Sequence, residues 1–305
     1  MNYTLAIKSP WDHDSLEWGL GHERFLLGPA RARAALSLER KKCNISPKQP
    51  YALLHLVHIH ATADHLVLTN PNDLLINSDE SQALFDSIQE ILLEISDTLE
   101  HVSPNQWLIK ADPLRTLATT SIEQAVGHNI DHWMPKDTSE AGVARRWRKW
   151  QNEIQMIWFD HPVNIRRMEQ GLSPVNSLWI SGIGCLEDFN PDETIKNASS
   201  LYSSIELAHQ VANCLDLPIS NTPLNPTGIA VLNFDDSNTE ALWNSACKAL
   251  QESTLDTITL IDFPNGQTRK RIIKKEDLAS KGWFFWKKSI TPSLKELLLV
   301  DRNHG

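Results

Sequence analysis

Glycine is scarce, at 12 of 305 residues, which argues against a chain built on repeated glycine-rich phosphate loops. Cysteine is sparser still, and the four present, Cys43, Cys185, Cys214 and Cys247, include no CxxC or CxC pair. Zinc knuckles and thioredoxin-like redox motifs need such close pairs, so both are excluded, and the cysteines read as small buried hydrophobes in a reducing compartment. No run approaches the 18 apolar residues that a membrane helix requires, and the best stretch, residues 52–59, carries histidines. The start of the chain, MNYTLAIKSPWDHD, has no charged segment followed by an apolar one, so the expectation is a cytoplasmic protein without membrane contact. Positive charge is in deficit, 29 Lys and Arg against 38 Asp and Glu, which argues against a surface that grips nucleic acid as a whole.

What is present is the balance of a globular protein: 41% hydrophobic residues, 22% charged, and 11 tryptophans to anchor a core. Residues 1–50 are rich in Arg, Ala and Pro and give one short helix across 31–40. Residues 51–60 read as a strand that forms a hairpin with 65–69. Apolar residues from Leu84 to Ile95 recur at helical spacing, predicting a helix over 81–99 with Ser78 or Asp79 as its cap, and 107–110 reads as a strand. A second helix spans 141–159, with Trp147, Trp150, Ile154, Ile157 and Trp158 on one face and Arg145, Arg146, Arg148 and Lys149 largely elsewhere.

After a break at His161-Pro162 comes a short helix over 164–170 stopped by Gly171, then a strand over 175–180 entering a glycine turn, 181–184. Further on, 199–215 and 239–251 read as helices, 228–234 as a strand, and 255–263 with 268–274 as a hairpin across Asn265-Gly266. The expected organisation is an N-terminal α+β portion, 1–138, followed by a layered α/β portion, 139–305.

One segment is denser in chemistry than the rest. His161, Asn164, Arg167 and Asn176, with Asn152 on the preceding helix and Gly182 and Gly184 in the turn, sit where a helical corner feeds a strand. A guanidinium, amides and the backbone N–H groups of a glycine turn make a reasonable anion cradle, so these seven are the expected ligand-binding residues. The plainer reading has the same polar side chains satisfying buried backbone groups and locking the corner.

The segment HPVNIRRMEQGLSPVNSLWISGIG resembles the HPxNxxRxxxGxxPxNxxxxRGxG pattern of archaeal-type cofactor-independent phosphoglycerate mutases. Over nearly the whole chain the sequence resembles RpfE-type regulatory proteins of proteobacteria, often labelled mutase-like. The resembling stretches include LLHLVHIHATADHLVLTNP, QNEIQM, HPVN, NSLWISGIG and FFWKK. The resemblance implies an α/β fold related to part of the mutase architecture of the alkaline phosphatase superfamily.

Mutases of that kind open with an Asp-Gly metal strand and hold two divalent metals, such as manganese, in Asp/His clusters. This chain has SPWDHD at 9–14, no second Asp/His cluster near its end, and Ser181 in place of the motif arginine. Two-metal phosphoryl transfer needs such a clamp. The reading is therefore a regulator without catalytic residues or cofactor, binding a small anionic, phosphorylated ligand or a protein partner, with a metal-dependent mutase or phosphomonoesterase as its rival.

Four other features are weaker. His58 and His60 lie two apart on a strand with Asp64 and His65 just beyond, a spacing from which a metal site can be assembled. Asp12-His13-Asp14 invites the same idea near the chain's start. Cys185 follows the glycine turn, where a nearby helix start would lower a thiol pKa, but a buried structural thiol is the favoured reading. Residues 266–288 carry eight Lys and Arg around Trp283, Phe284, Phe285 and Trp286, which suits single-stranded nucleic acid less well than it suits a charged hairpin edge and an aromatic plug.

Overall fold

The computed structural model describes residues 1–10, 19–29, 32–39, 46–278 and 293–299. Its strands are β1 (Asn2–Lys8), β2 (Tyr51–Val57), β3 (Ile59–Ala61), β4 (Leu66–Leu68), β5 (Leu99–Ser103), β6 (Gln106–Lys110), β7 (Leu117–Ala118), β8 (Lys136–Asp137), β9 (Ser177–Gly184), β10 (Leu201–Ser203), β11 (Ile229–Asn233), β12 (Thr257–Asp262) and β13 (Arg269–Ile273). Its helices are α1 (Gly21–Leu27), α2 (Arg33–Glu39), α3 (Ser78–Ser87), α4 (Gln89–Ile95), α5 (Ile122–Ala125), α6 (Val143–Phe159), α7 (Pro162–Glu169), α8 (Glu193–Lys196), α9 (Glu206–Cys214), α10 (Thr239–Gln251) and α11 (Leu294–Leu299). None of the described helices is long and apolar enough to cross a membrane.

The chain divides into two compact units, Met1–Gly28 with Pro191–Gly305, and Pro29–Asn190. The boundary expected at 138/139 therefore falls inside the second unit. The reason is β1: its residues 4–8 pair in parallel with 229–233 of β11, and residues 2–6 with 257–261 of β12, so the chain's first strand belongs with its last third.

In the first unit the strand order is β10-β11-β1-β12-β13, parallel except for the antiparallel β12–β13 hairpin. No strand was expected before residue 51. NYTLAIK alternates little because both of its faces are covered, as in most parallel sheets, and five consecutive residues, Tyr3 to Ile7, are buried. Tyr3, Leu5 and Ile7 share a core with Trp243, Ala246, Cys247 and Leu250 of α10.

The expected helix 199–215 is instead β10 followed by α9. Leu201–Ser203 pairs with Ile229–Val231, and the Ser203 hydroxyl accepts the Ile205 N–H at 2.9 Å, forming the turn that separates strand from helix. The β12–β13 hairpin matches expectation, but the basic residues on it are engaged. Arg269 Nε donates to Asp262 Oδ1 at 3.0 Å, Arg271 lies 3.4 Å from the same carboxylate, and Lys270 binds Asp192 at 2.7 Å. Residues 279–292, with the aromatic run, and residues 12–14 lie outside the described set.

The second unit holds an antiparallel sheet, β5-β6-β2-β9. All seven residues of β2 are buried, because both faces are covered. Ala52, Leu54 and Leu56 pack with Leu84, Leu92, Trp147, Ile154 and Trp158 of α3, α4 and α6, while Tyr51 and Leu53 pack against Ala34 and Ala35 of α2. The predicted helix 81–99 is two helices, broken at Ile88 (φ −120°). Its cap is Asn77, whose side chain accepts the Glu80 N–H at 2.9 Å while Glu80 accepts the Asn77 N–H at 3.1 Å. The expected strand 51–60 is two strands parted at His58, of which β2 joins this sheet and only β3 forms the hairpin with β4.

Candidate functional site

The helix–corner–strand segment occupies α6, α7 and β9 of the second unit. Asp137 starts α6, its carboxylate accepting the N–H groups of Gly142 (2.7 Å) and Ala144 (2.6 Å), bonds that hold its pKa below the usual carboxylate range. At the far end His161 caps α7: its Nδ1 accepts the Val163 N–H at 3.2 Å, and Pro162 occupies the first helical position. Because Nδ1 is the acceptor, the proton of the neutral ring sits on Nε2, and burial lowers the pKa of His161.

Asn164 is 1% exposed. Its amide nitrogen donates to the carbonyls of Trp158 and Val175, both at 2.7 Å, and its oxygen accepts the Val175 N–H at 2.8 Å. Arg167 is equally buried, with Nε donating to Ser173 O at 2.9 Å, one terminal nitrogen 3.0 Å from Glu80 and the other on Leu74 O. Asn176 binds both the N–H and the carbonyl of Ile59 at 2.8 Å. Asn164 thus ties the end of α6 to the start of β9, and Arg167 and Asn176 reach segments about ninety or more residues away, all three largely through backbone groups, the plainer of the two readings.

Gly182 and Gly184 do not form a turn. They lie within β9, where one extra residue bulges against β2 between the pairs Leu53–Ser181 and Tyr51–Gly184. Gly182 takes φ +63°, and a Cβ on Gly184 would sit 2.8 Å from the Cβ of Ala32, so these glycines let the start of α2 approach the strand. Ser181 donates to or accepts from His55 Nε2 at 2.9 Å. His55 is buried and its pKa falls to about 3, chiefly through burial and secondarily through the Arg33 guanidinium. Cys185 is buried too, its thiol pushed up to about 11 by burial and by Asp188, the opposite of an activated thiol.

Beside the corner lies a cleft of about 470 Å³ reached by His161 and Arg166, but Asp79 and Glu80 line it as well. An anion there meets two carboxylates. Asn152 does not reach the cleft lining and faces solvent from α6.

The weaker metal candidates do not assemble. His58 Nδ1 is 2.9 Å from Pro174 O, its ring stacks on His60 with centroids 6.0 Å apart, and His65 Nδ1 pairs with Asp64 at 2.6 Å. No three of the four bring ligand atoms within coordinating reach of one another.

What the sequence reading missed is the outward face of the same segment. Arg145, Arg148, Lys149, Asn152, Met156 and Phe159 recur at helical spacing along the solvent side of α6, cationic in its first half and apolar in its second. Met156 is 76% and Phe159 81% exposed; Ile157, expected on the buried face with Trp158, is exposed as well because it lies at the edge of that face, and Ile165 and Met168 follow within the same thirteen residues. These are five of the eleven exposed large hydrophobic side chains among the described residues, a clustering that single surface hydrophobes do not show. The signal was in the sequence: QMIWF places three large apolar residues around Trp158, and one helix face cannot bury all of them.

No protein-family model matches the chain. It is similar to two archaeal proteins named 2,3-bisphosphoglycerate-independent phosphoglycerate mutase. With that of Methanosarcina acetivorans it is 23% identical over 215 residues, 68% of this chain and 51% of that protein. With that of Methanosarcina barkeri it is 26% identical over 135 residues, 43% of this chain and 33% of that protein. The chain thus spans about half the length of the first of these relatives and a third of the second.

Among solved structures, a cofactor-independent phosphoglycerate mutase from Thermoplasma acidophilum aligns with TM-score 0.34 and 14% identity, covering 86% of this chain and 87% of the other. A protein from Pyrococcus horikoshii aligns with TM-score 0.40 and 11% identity, covering 90% and 89%. Superpositions that loose have no bearing on what this chain does. The chain is an α/β protein with weak sequence similarity to archaeal mutases.

Proposed function

We propose that this chain is a mutase-like regulatory protein, non-catalytic and cytoplasmic, that docks an acidic amphipathic helix of a partner protein on the outer ridge of α6. The observation that carries the reading is the run from Arg145 to Phe159, a cationic half followed by exposed Met156 and Phe159. Those fourteen steps span about 21 Å, the length of a partner helix of three to four turns. A helix with large apolar residues at i, i+3 and i+7 packs on such a ridge, and acidic residues at one end meet Arg145 and Arg148, with Lys149 beside them at 3.4 Å from Glu153. The corner beneath supplies rigidity, since Asn164 and Arg167 fix where α6 ends and α7 begins.

An anionic ligand at the corner is less well supported, because Arg167 is buried and engaged and the adjoining cleft carries Asp79 and Glu80. The likeness to RpfE-type regulators favours a partner over a substrate.

A displayed library of helical peptides, selected against the intact chain, tests the reading. The enriched sequences are expected to combine acidic residues with apolar ones at helical spacing, and to bind Phe159→Ser and Arg148→Glu chains at least tenfold more weakly. Enriched peptides indifferent to both substitutions refute it, as does manganese-dependent interconversion of phosphoglycerates by the purified chain.

A further inference from the structure

The first unit contains a cavity that none of the corner residues touches. It has a volume of about 660 Å³, within the range of small-molecule sites, and lies where β10 and β11 end and α10 begins. Parallel α/β sheets bind ligands at that edge, because the loops leaving the strands diverge there. Tyr202, Leu224, Leu232 and Leu242 give it an apolar floor, and hydroxyls and Asp236 line its rim.

Two groups in the cavity have capacity left over. Asp236 is fixed through one oxygen, Oδ2, which accepts the Ser204 hydroxyl and, at 3.2 Å, the Asn233 N–H. Its Oδ1 has no donor among the described residues. The Tyr202 hydroxyl likewise makes no hydrogen bond among them, although the neighbouring phenol, Tyr3, donates to Pro223 O at 2.7 Å. A carboxylate locked on one side and open on the other is a preorganised acceptor for O–H or N–H donors. No Lys or Arg lines the cavity, so nothing offsets a phosphate's charge beside Asp236.

We infer that this cavity is a binding site for an uncharged, nucleoside-like molecule, its planar apolar body on the Tyr202–Leu232–Leu242 floor and vicinal hydroxyls on Asp236 Oδ1. A carboxylate just past a parallel strand that accepts from a ribose diol is a recurrent solution to this recognition problem. The aromatic ring of Tyr202 and the leucines supply the area that a base buries.

The test is ligand-observed NMR of the intact chain with the four ribonucleosides, their 2′-deoxy forms and their 5′-monophosphates. At least one ribonucleoside is expected to bind, with affinity at least tenfold weaker for its 2′-deoxy form and no gain for its monophosphate. Asp236→Asn keeps an oxygen for Ser204 and Asn233 but turns an N–H₂ toward the ligand, and is expected to abolish binding without changing the melting temperature. Ser245→Trp, which fills the mouth from α10, is expected to do the same. Absence of binding by all four ribonucleosides overturns the inference, as does binding indifferent to Asp236→Asn, or tighter binding of the monophosphates, which places an anion site there instead.

Discussion

The corner of the second unit and the strand-end cavity of the first are both crowded with polar side chains, yet they differ in what those side chains have left to offer. At the corner, Asn164 makes three bonds to backbone and Arg167 meets two carbonyls and Glu80, with each side chain 1% exposed. In the cavity, Asp236 and Tyr202 keep an acceptor oxygen and a hydroxyl without protein partners among the described residues. Polar density in a sequence therefore marks chemistry, but whether that chemistry serves the fold or a ligand depends on uncommitted lone pairs and donors. Substitution at the two places separates these roles, since one set of residues carries stability and the other should not.

The largest effect is expected at Arg167. Arg167→Ala removes a buried charge, leaves Ser173 O and Leu74 O without their donor and strips Glu80 of its counter-charge, at a cost of about 3–5 kcal/mol in urea unfolding. Arg167→Lys should recover little, because a single ammonium cannot reach three acceptors arranged around a planar fork. A loss under about 1 kcal/mol would contradict the corner's structural role. Asn164→Ala comes next, at about 3 kcal/mol, since it strands the Val175 N–H and C=O in a buried setting and takes a side-chain donor from the Trp158 carbonyl.

A pH effect follows from His55. Its folded pKa of about 3 lies below the ordinary 6.5, so the unfolded chain binds the proton more readily. The stability it confers is complete above pH 6.5 and declines as the pH falls toward 3, by up to about 1.4 kcal/mol per unit. His58, His101 and His161, also lowered by burial, add slopes of the same sign. Urea midpoints between pH 4 and 7 should rise with pH, and His55→Gln should flatten that rise. An unchanged slope in the variant would show that protonation of His55 is not what the fold resists.

The smallest effect on stability belongs to the exposed ridge. Phe159→Ser is expected to change unfolding free energy by no more than about 0.5 kcal/mol while reducing peptide capture. A large destabilisation would mean that Phe159 belongs to the core after all.

Much of the secondary structure was legible because its causes are local. Trp147, Trp150, Ile154 and Trp158 declare the buried face of α6 by spacing alone, and Asn265-Gly266 announces the β12–β13 hairpin. β1 was not legible, since a short strand with little alternation is defined by the partners on either side of it, which lie more than two hundred residues away. Gly182 and Gly184 misled for a related reason. Glycine in a bulged strand beneath a closely packed helix reads, in one dimension, like glycine in a turn.

The candidate sites divide along the same line. His161, Asn164, Arg167 and Asn176 stood out in the sequence as a set, and they do form one connected structure. The sequence by itself determined the class of fold, the helical corner and the identity of the polar residues concentrated there, because residue spacing, proline breaks and capping act over a few positions. Only the tertiary structure decided that Arg167 faces Glu80 and backbone carbonyls, that Asp236 keeps an open oxygen beside a cavity, and that Met156 and Phe159 face outward. Burial and the satisfaction of hydrogen bonds are properties of segments brought together from distant parts of the chain, and no local pattern of residues specifies them.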